Sequence, residues 1–167
     1  MNDVEIRRFV ESDIPLKVNW INDEKNSQFL HYDLPLSIEK TEQWFQVASN
    51  DPRRADFTII YRNRPVGLIG LLNADNVKGS AEFYIALGES EVRGKGIATR
   101  ASELLIEYAK NQMGLKALYL YTEVENYRAQ MLFERIGFQR KRLIENEFEY
   151  RGRSVSRYFY IIQLQED

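Results

Sequence analysis

The chain contains no cysteine and one histidine, His31. Without thiols, disulfide scaffolds, cysteine-ligated metals and sulfur nucleophiles are excluded. A lone imidazole rules out a multi-histidine metal centre, and no metal is expected. No apolar run approaches the roughly 20 residues of a membrane-spanning helix, so no membrane partner is expected. The opening residues Met1-Asn2-Asp3-Val4-Glu5 have neither a basic region nor an apolar stretch, so a secretory signal is not expected and a cytoplasmic protein is the default. An excess of one charge is also missing. The 23 basic and 25 acidic residues leave a net charge of −2, which argues against a nucleic-acid partner.

What remains is a globular composition: 167 residues, 44% hydrophobic, 29% charged and 13% aromatic. That is enough apolar surface to offset chain entropy and build one sizeable core. With no linker, repeat or low-complexity tract, residues 1–167 are expected to form a single domain.

Hydrophobic periodicity predicts the elements. Val4 to Phe9 alternates as a strand. Ser12-Asp13-Ile14-Pro15 opens a helix carrying Leu16, Val18, Trp20 and Ile21, which Asn22-Asp23 ends or interrupts. The aromatic loop Phe29 to Pro35 leads to a second helix from Ser37, with Thr41, Trp44, Phe45 and Ala48 on one face. Strands are predicted over Phe57–Tyr61, Val66–Leu72 and Ala81–Leu87, with turns at Arg62–Pro65 and Asn73–Ser80. A helix with Ala101, Leu104, Leu105, Tyr108 and Ala109 on one side ends at Gly114. The strand Ala117–Thr122 precedes a short helix from Asn126 to Gly137. Two last strands, Phe138–Phe148 and Ser154–Ile162, flank Tyr150 to Arg153. This β-α-α-β-β-β-α-β-α-β-β order is that of an α/β sandwich around a mixed sheet.

Between the strand ending at Leu87 and the following helix stands Arg93-Gly94-Lys95-Gly96-Ile97-Ala98. Main-chain N–H groups at a helix start are unpaired and lie at the positive end of the helix dipole, and glycines let a phosphate approach them. Such turns also occur as plain connectors. The segment does not fit the phosphate-loop pattern G-x-x-x-x-G-K-[ST]. It also fails the dinucleotide fingerprint, because Thr99 stands where the third glycine is needed. A third pattern asks for a basic residue, two spacers, glycine, one spacer, then glycine or alanine, and Arg93-x-x-Gly96-x-Ala98 satisfies it.

In that pattern the segment resembles the acetyl-coenzyme A pyrophosphate loop of the GNAT N-acetyltransferase superfamily. Asn126 with Ala129 and Gly137-Phe138 is similar to the helix after the family's fifth strand. Trp20-Ile21-Asn22-Asp23, Leu36-Ser37 to Trp44-Phe45, Val124-Glu125-Asn126 and the hairpin from Glu147-Phe148 to Tyr160 look like one branch. That branch holds spermidine, ribosomal-protein N-terminal and nucleotide-aminosugar acetyltransferases.

The resemblance implies a GNAT-type α/β sandwich around a mostly antiparallel, twisted sheet whose two central strands splay apart around the pantetheine arm. It implies a cytoplasmic acetyltransferase using acetyl-CoA as cosubstrate, acting on a small-molecule amine or a protein N-terminus, with a homodimer possible for the branch. Ile85, Ala86 and Leu87 would offer main-chain groups to the arm. Arg93, Gly94, Lys95, Gly96, Ile97 and Ala98 would wrap the pyrophosphate, although Arg93 and Lys95 also fit a plain solvated surface. Asn126 would touch the arm near the thioester while capping its helix, and the N–H of Leu87 or a neighbour would meet the oxyanion.

Glu82 is the expected base, acting through a water; pairing with a basic neighbour or binding a cationic acceptor are its alternatives. Without cysteine, transfer should be direct. Seven residues beyond Asn126, where the family often places a proton-donating tyrosine, this chain has Phe133, which can shape the pocket but not donate. Tyr84 and Tyr121 are substitute donors, and a catalytically weak acyl-CoA-binding sensor is the alternative function. The acceptor would meet His31, Tyr32, Trp44 and Tyr84, with His31 either a second proton relay or a packed side chain. Asp23, Glu24 and Asp33 near that border would suit a cationic amine.

Overall fold

The computed structural model describes residues 3–164. Its strands are β1 (Val4–Arg8), β2 (Ala55–Tyr61), β3 (Arg64–Asp75), β4 (Ser80–Leu87), β5 (Ala117–Glu123), β6 (Gln139–Tyr150) and β7 (Arg153–Gln163). Its helices are α1 (Ile14–Asn22), α2 (Glu24–Ser27), α3 (Ile38–Ala48), α4 (Ile97–Asn111) and α5 (Tyr127–Ile136). All seven strands join one sheet in the order β1-β2-β3-β4-β5-β7-β6. Only the β4–β5 pair is parallel.

Strand alternation divides the apolar residues between two faces. On one face, Ile69 and Phe83 pack with Ala101, Leu105 and Ala109 of α4 and Phe133 of α5. On the other, Leu68 and Tyr84 meet Ile14, Val18 and Ile21 of α1 and Trp44 and Phe45 of α3. Each fully buried side chain such as Ile59, Ile69 or Leu105 stabilises by roughly 1.5–3 kcal/mol.

The expected elements are present, with differences at their ends. Asp23 starts the extra short helix α2 by accepting a hydrogen bond from the Lys25 N–H. The β2–β3 turn is only Arg62-Asn63, both with positive φ, so β3 begins at Arg64. At its far end β3 continues to Asp75 through an irregularity after Leu72. Asp13 precedes α1 without capping it. Its buried carboxylate instead accepts from Arg7 Nη1 and Nη2 at 2.7 and 2.9 Å, Thr58 Oγ1 at 2.9 Å and the Val10 N–H at 3.0 Å. The position reads as a helix cap in sequence because nothing local announces that it will be buried against Thr58 of β2, 45 residues away in the chain.

Candidate active site

Strands β4 and β5 pair only at Ser80–Ala117, Ala81–Leu118 and Glu82–Tyr119. Beyond Glu82 both continue, to Leu87 and to Glu123, without pairing to each other. The Gly88 N–H donates to the Val66 carbonyl at 2.7 Å. By the two-residue alternation of a strand, Ala86 and Tyr84 also turn their main-chain groups to β3, while Ile85 and Leu87 turn theirs into the opening. Ala86 is thus a correction: its N–H and C=O belong to the β3 ladder. Across the opening, the Val124 N–H donates to the Ser156 carbonyl at 3.1 Å, so alternation leaves Tyr121 and Glu123 facing β4. The result is a wedge in the sheet edged by unpaired main-chain donors and acceptors, which demand partners of their own.

The turn from β4 into α4 closes the wide end of the wedge. Gly94 and Gly96 have φ of +79° and +77°, and no atom lies within 4 Å of where a Cβ would stand on either. The Arg93 N–H donates to the Ser90 carbonyl and the Arg100 N–H to the Gly96 carbonyl. Between them, the N–H groups from Gly94 to Thr99 find no acceptor among the described residues. Ile97 anchors the helix start with a side chain 1% exposed, which leaves its N–H as its free group.

Arg93 donates to Asn26 Oδ1 at 3.2 Å. Burial, then the positive charge of Arg128, push its pKa down. Neither arginine has an ion pair among the described residues, so an anion would relieve both. Trp20 fixes the turn from behind. Its Nε1 donates to Glu89 at 2.7 Å, and its ring leaves no room for a side chain at position 88, where a Cβ would lie 2.2 Å away.

One face of the wedge carries the titratable groups. Glu82 stands at its root, half-buried, where burial raises its pKa against the opposing effects of the Asn73 amide (3.3 Å) and the Arg157 charge. Tyr119, Tyr121 and Phe159 form an aromatic wall beside it. Glu123, 4% exposed, lies at the far end of β5. It accepts from both Arg153 Nη atoms at 2.9 and 3.1 Å and sits 2.7 Å from His31 Nε2. Burial works to raise the Glu123 pKa, but the Arg153 and His31 partners hold it below the ordinary carboxylate value. The loop that carries His31 is tied down by the Tyr150 hydroxyl donating to the Tyr32 carbonyl at 2.6 Å.

Two side chains expected at the acceptor already have partners within the protein. The Tyr84 hydroxyl donates to Asp56 Oδ1 at 2.5 Å, and Asp56 is gripped by Arg54 at 2.9 and 3.0 Å. Burial and then Asp56 drive the Tyr84 pKa well above its ordinary value, so it is not a free proton donor. Trp44 packs edge-on to Phe9 at 5.7 Å and carries the Lys17 ammonium 3.3 Å from its ring centroid. Both serve the packing of α1 and α3 on the sheet. The Tyr32 ring is half-buried in the same cluster.

Asn126 Oδ1 accepts from the Ala129 N–H at 3.2 Å and caps α5, while its Nδ2 has no partner among the described residues. Phe133 is 7% exposed and packs on Phe83, Phe138 and Tyr160. Sequence reasoning missed Glu123, Arg153 and Gln130. Gln130 donates to the carbonyls of Glu123 and Val124 at 3.1 and 3.0 Å, fixing the turn before Asn126. Their only signal was a charged residue ending a strand of otherwise aromatic and β-branched character.

A family model described as an acetyltransferase (GNAT) domain matches residues 3–139. Spermidine N(1)-acetyltransferase of Escherichia coli is 31% identical over 103 residues, which cover 62% of this chain and 55% of that protein. The match thus spans about half the length of that relative. Spermidine N(1)-acetyltransferase of Vibrio cholerae is 28% identical over 147 residues, covering 86% of this chain and 84% of that protein. Among solved structures, spermidine N-acetyltransferase from Vibrio cholerae in complex with CoA and spermine superposes with a TM-score of 0.91 at 23% identity, over 98% of this chain and 97% of that one. That superposition shows a shared fold.

Proposed function

We propose that this chain, which belongs to the acetyltransferase (GNAT) family, moves an acetyl group from acetyl-coenzyme A directly onto a primary amine. The observation that carries the reading is the run of N–H groups from Gly94 to Thr99 with no acceptor among the described residues, continuous with a strand edge where Ile85 and Leu87 have no β5 partner among them. A diphosphate joined to a chain of amides has the chemistry to fill both at once.

In this reading the N–H groups from Gly94 to Thr99 hold the diphosphate, with Arg93, Lys95 and Arg128 adding charge. Ile85 and Leu87 pair with the amides of the pantetheine arm, and the Asn126 Nδ2 meets it near the thioester. The Leu87 N–H faces the opening and serves the oxyanion. A primary ammonium has a pKa of about 10, so the acceptor must lose a proton before attack. Glu82 takes it through a water, helped by the burial that raises its pKa toward neutrality. No cysteine is present to form an acyl-enzyme on sulfur, so transfer is direct.

The acceptor is a small-molecule amine of polyamine type or, second, a protein N-terminus. Similarity to two spermidine acetyltransferases supports the first class. So does Glu82, an acid on the acceptor face with no ion pair among the described residues. A second reading, a catalytically weak acyl-CoA-binding sensor of the same fold, rests on Phe133 alone, and the similarity to acetyltransferases does not favour it. Calorimetric titration with acetyl-coenzyme A, then a thiol-release assay over spermidine, spermine, short alkylamines and peptides with free N-termini, tests the proposal. Tight binding with no acetylated product from any amine selects the sensor, and no binding removes both readings. We read the exposed edge strand β6 as the face on which copies of the chain pair, which light scattering tests.

A further inference from the structure

We propose that His31, positioned by Glu123, carries the second proton transfer of the acetylation reaction, an inference that rests on the function proposed above. Once the amine has attacked, two protons remain to be moved: one leaves the nitrogen, and one reaches the departing sulfur. Phe133 has no proton to give, and the Tyr84 hydroxyl is bound to Asp56.

His31 belongs to the connection between α2 and α3, yet its ring reaches the end of β5. Its Nε2 stands 2.7 Å from a Glu123 oxygen. The edge-on rings of Phe148 and Tyr150, at 5.0 and 5.1 Å, hold the imidazole plane. Among the described residues its Nδ1 has no hydrogen-bond partner, and its side chain is 22% exposed. With Nε2 tied to a buried carboxylate, any proton exchanged with a substrate passes through Nδ1. Continuing the parallel register of Glu82 with Tyr119 sets Glu123 level with Ala86, between Ile85 and Leu87, whose main-chain groups line the opening. His31 therefore overlooks the stretch where the thioester would lie.

A pin for the loop would not need a carboxylate. An amide could make the same contact without the desolvation that here requires Arg153 as a counter-charge. The other charged group that feels the ring is Glu147 on β6, bonded to Arg157 of β7 at 2.6 and 3.1 Å, while the Arg153 that holds Glu123 is also within reach of the Glu125 charge.

In the step, the amine nitrogen has bonded to the acyl carbon and carries one proton too many. That proton passes to His31 Nδ1. The carbon–sulfur bond then breaks, its electron pair leaves with sulfur, and the Nδ1 proton goes to the thiolate. His31 returns to its starting state, and the proton that Glu82 removed earlier leaves through water.

Because His31 is the sole histidine, one imidazole signal set reports on it directly. Long-range ¹H–¹⁵N spectra at pH 8 are expected to show the Nε2–H tautomer in the wild type, lost or mixed in Glu123→Gln. The Nδ1–H tautomer in the wild type would overturn the proposal. In steady-state assays with spermidine, His31→Gln is expected to lower kcat by about 10²-fold while the calorimetric affinity for acetyl-coenzyme A stays within about twofold. Added imidazole is expected to recover at least about tenfold of the rate in His31→Ala, a response that a loop pin would not give. An active wild type with unimpaired His31→Gln, or with the loss confined to Tyr121→Phe, refutes the role of His31 alone. A wild type inactive on every amine refutes the underlying function instead.

Discussion

Replacing Gly96 by glutamate separates ligand binding from folding at one position. Gly96 sits just before the 15-residue helix α4 with φ of +77°, where an L-residue is strained by roughly 1–2 kcal/mol. Nothing lies within 4 Å of its virtual Cβ, so no steric clash adds to that strain. A carboxylate at a helix N-terminus returns about 0.3–1 kcal/mol. The net loss of stability is therefore at most about 2 kcal/mol, against roughly 5–15 kcal/mol for a folded domain.

The same carboxylate would face a bound diphosphate. A like-charge pair at about 4 Å repels by about 4 kcal/mol at an effective dielectric constant of 20, and the exposed position reduces this to about 2–3 kcal/mol. The expected result is a roughly 30- to 150-fold weaker coenzyme A complex by calorimetry, with a cooperative unfolding transition retained. Gly96→Asn, which tolerates the left-handed backbone and adds no charge, should lose less than about tenfold. Equal coenzyme A affinity in Gly96→Glu and wild type would refute the phosphate cradle.

Glu82→Gln should lower kcat at neutral pH by about 10²-fold while leaving acetyl-coenzyme A affinity unchanged in titration. In the wild type, kcat should fall as pH drops through the raised Glu82 pKa, and that limb should disappear in the variant. Lys17 is buried among aromatic rings, and desolvation lowers its pKa to about 8 from 10.5. Above pH 8 the folded form binds fewer protons than the unfolded, so this group makes stability rise between about pH 8 and 10, by about 1.4 kcal/mol per pH unit. Subtracting Lys17→Met urea unfolding curves from those of the wild type isolates that slope. Asp13→Ala should destabilise by about 2–3 kcal/mol in denaturant titration, since it strands the Thr58 hydroxyl and the Val10 N–H. Burial opposes but does not outweigh the Arg7, Val10 and Thr58 bonds that lower the Asp13 pKa, so its contribution is present above the unfolded carboxylate value and lost as pH falls below it.

Much of the molecule was legible from local pattern. Two-residue alternation in Ala81–Leu87 and three-to-four-residue spacing in Ala101–Ala109 follow from backbone geometry that any short segment obeys. The glycines at 94 and 96 announce left-handed backbone because few other residues adopt it cheaply. Asn126 announces a cap because its side chain bonds to an N–H three residues on.

The candidate site was legible only in part. Tyr84 and Trp44 read as pocket walls, since an aromatic residue does not declare what it will touch. Asp56 and Lys17, which occupy them, lie 28 and 27 residues away in the chain. Glu123 was passed over because its partners His31 and Arg153 are 92 and 30 residues distant.

Sequence alone determined most of the strands and longer helices, where the glycine turn before α4 falls and which sulfur chemistry is excluded, because each depends on residues adjacent or one helical turn apart. Only the tertiary structure decided that β4 and β5 part after Glu82, that Ala86 faces its neighbour rather than the opening, and that a buried carboxylate holds the single imidazole. Those outcomes depend on strand register and on partners distant in the chain, and burial, which sets the energy of each charge, exists only once the layers have packed.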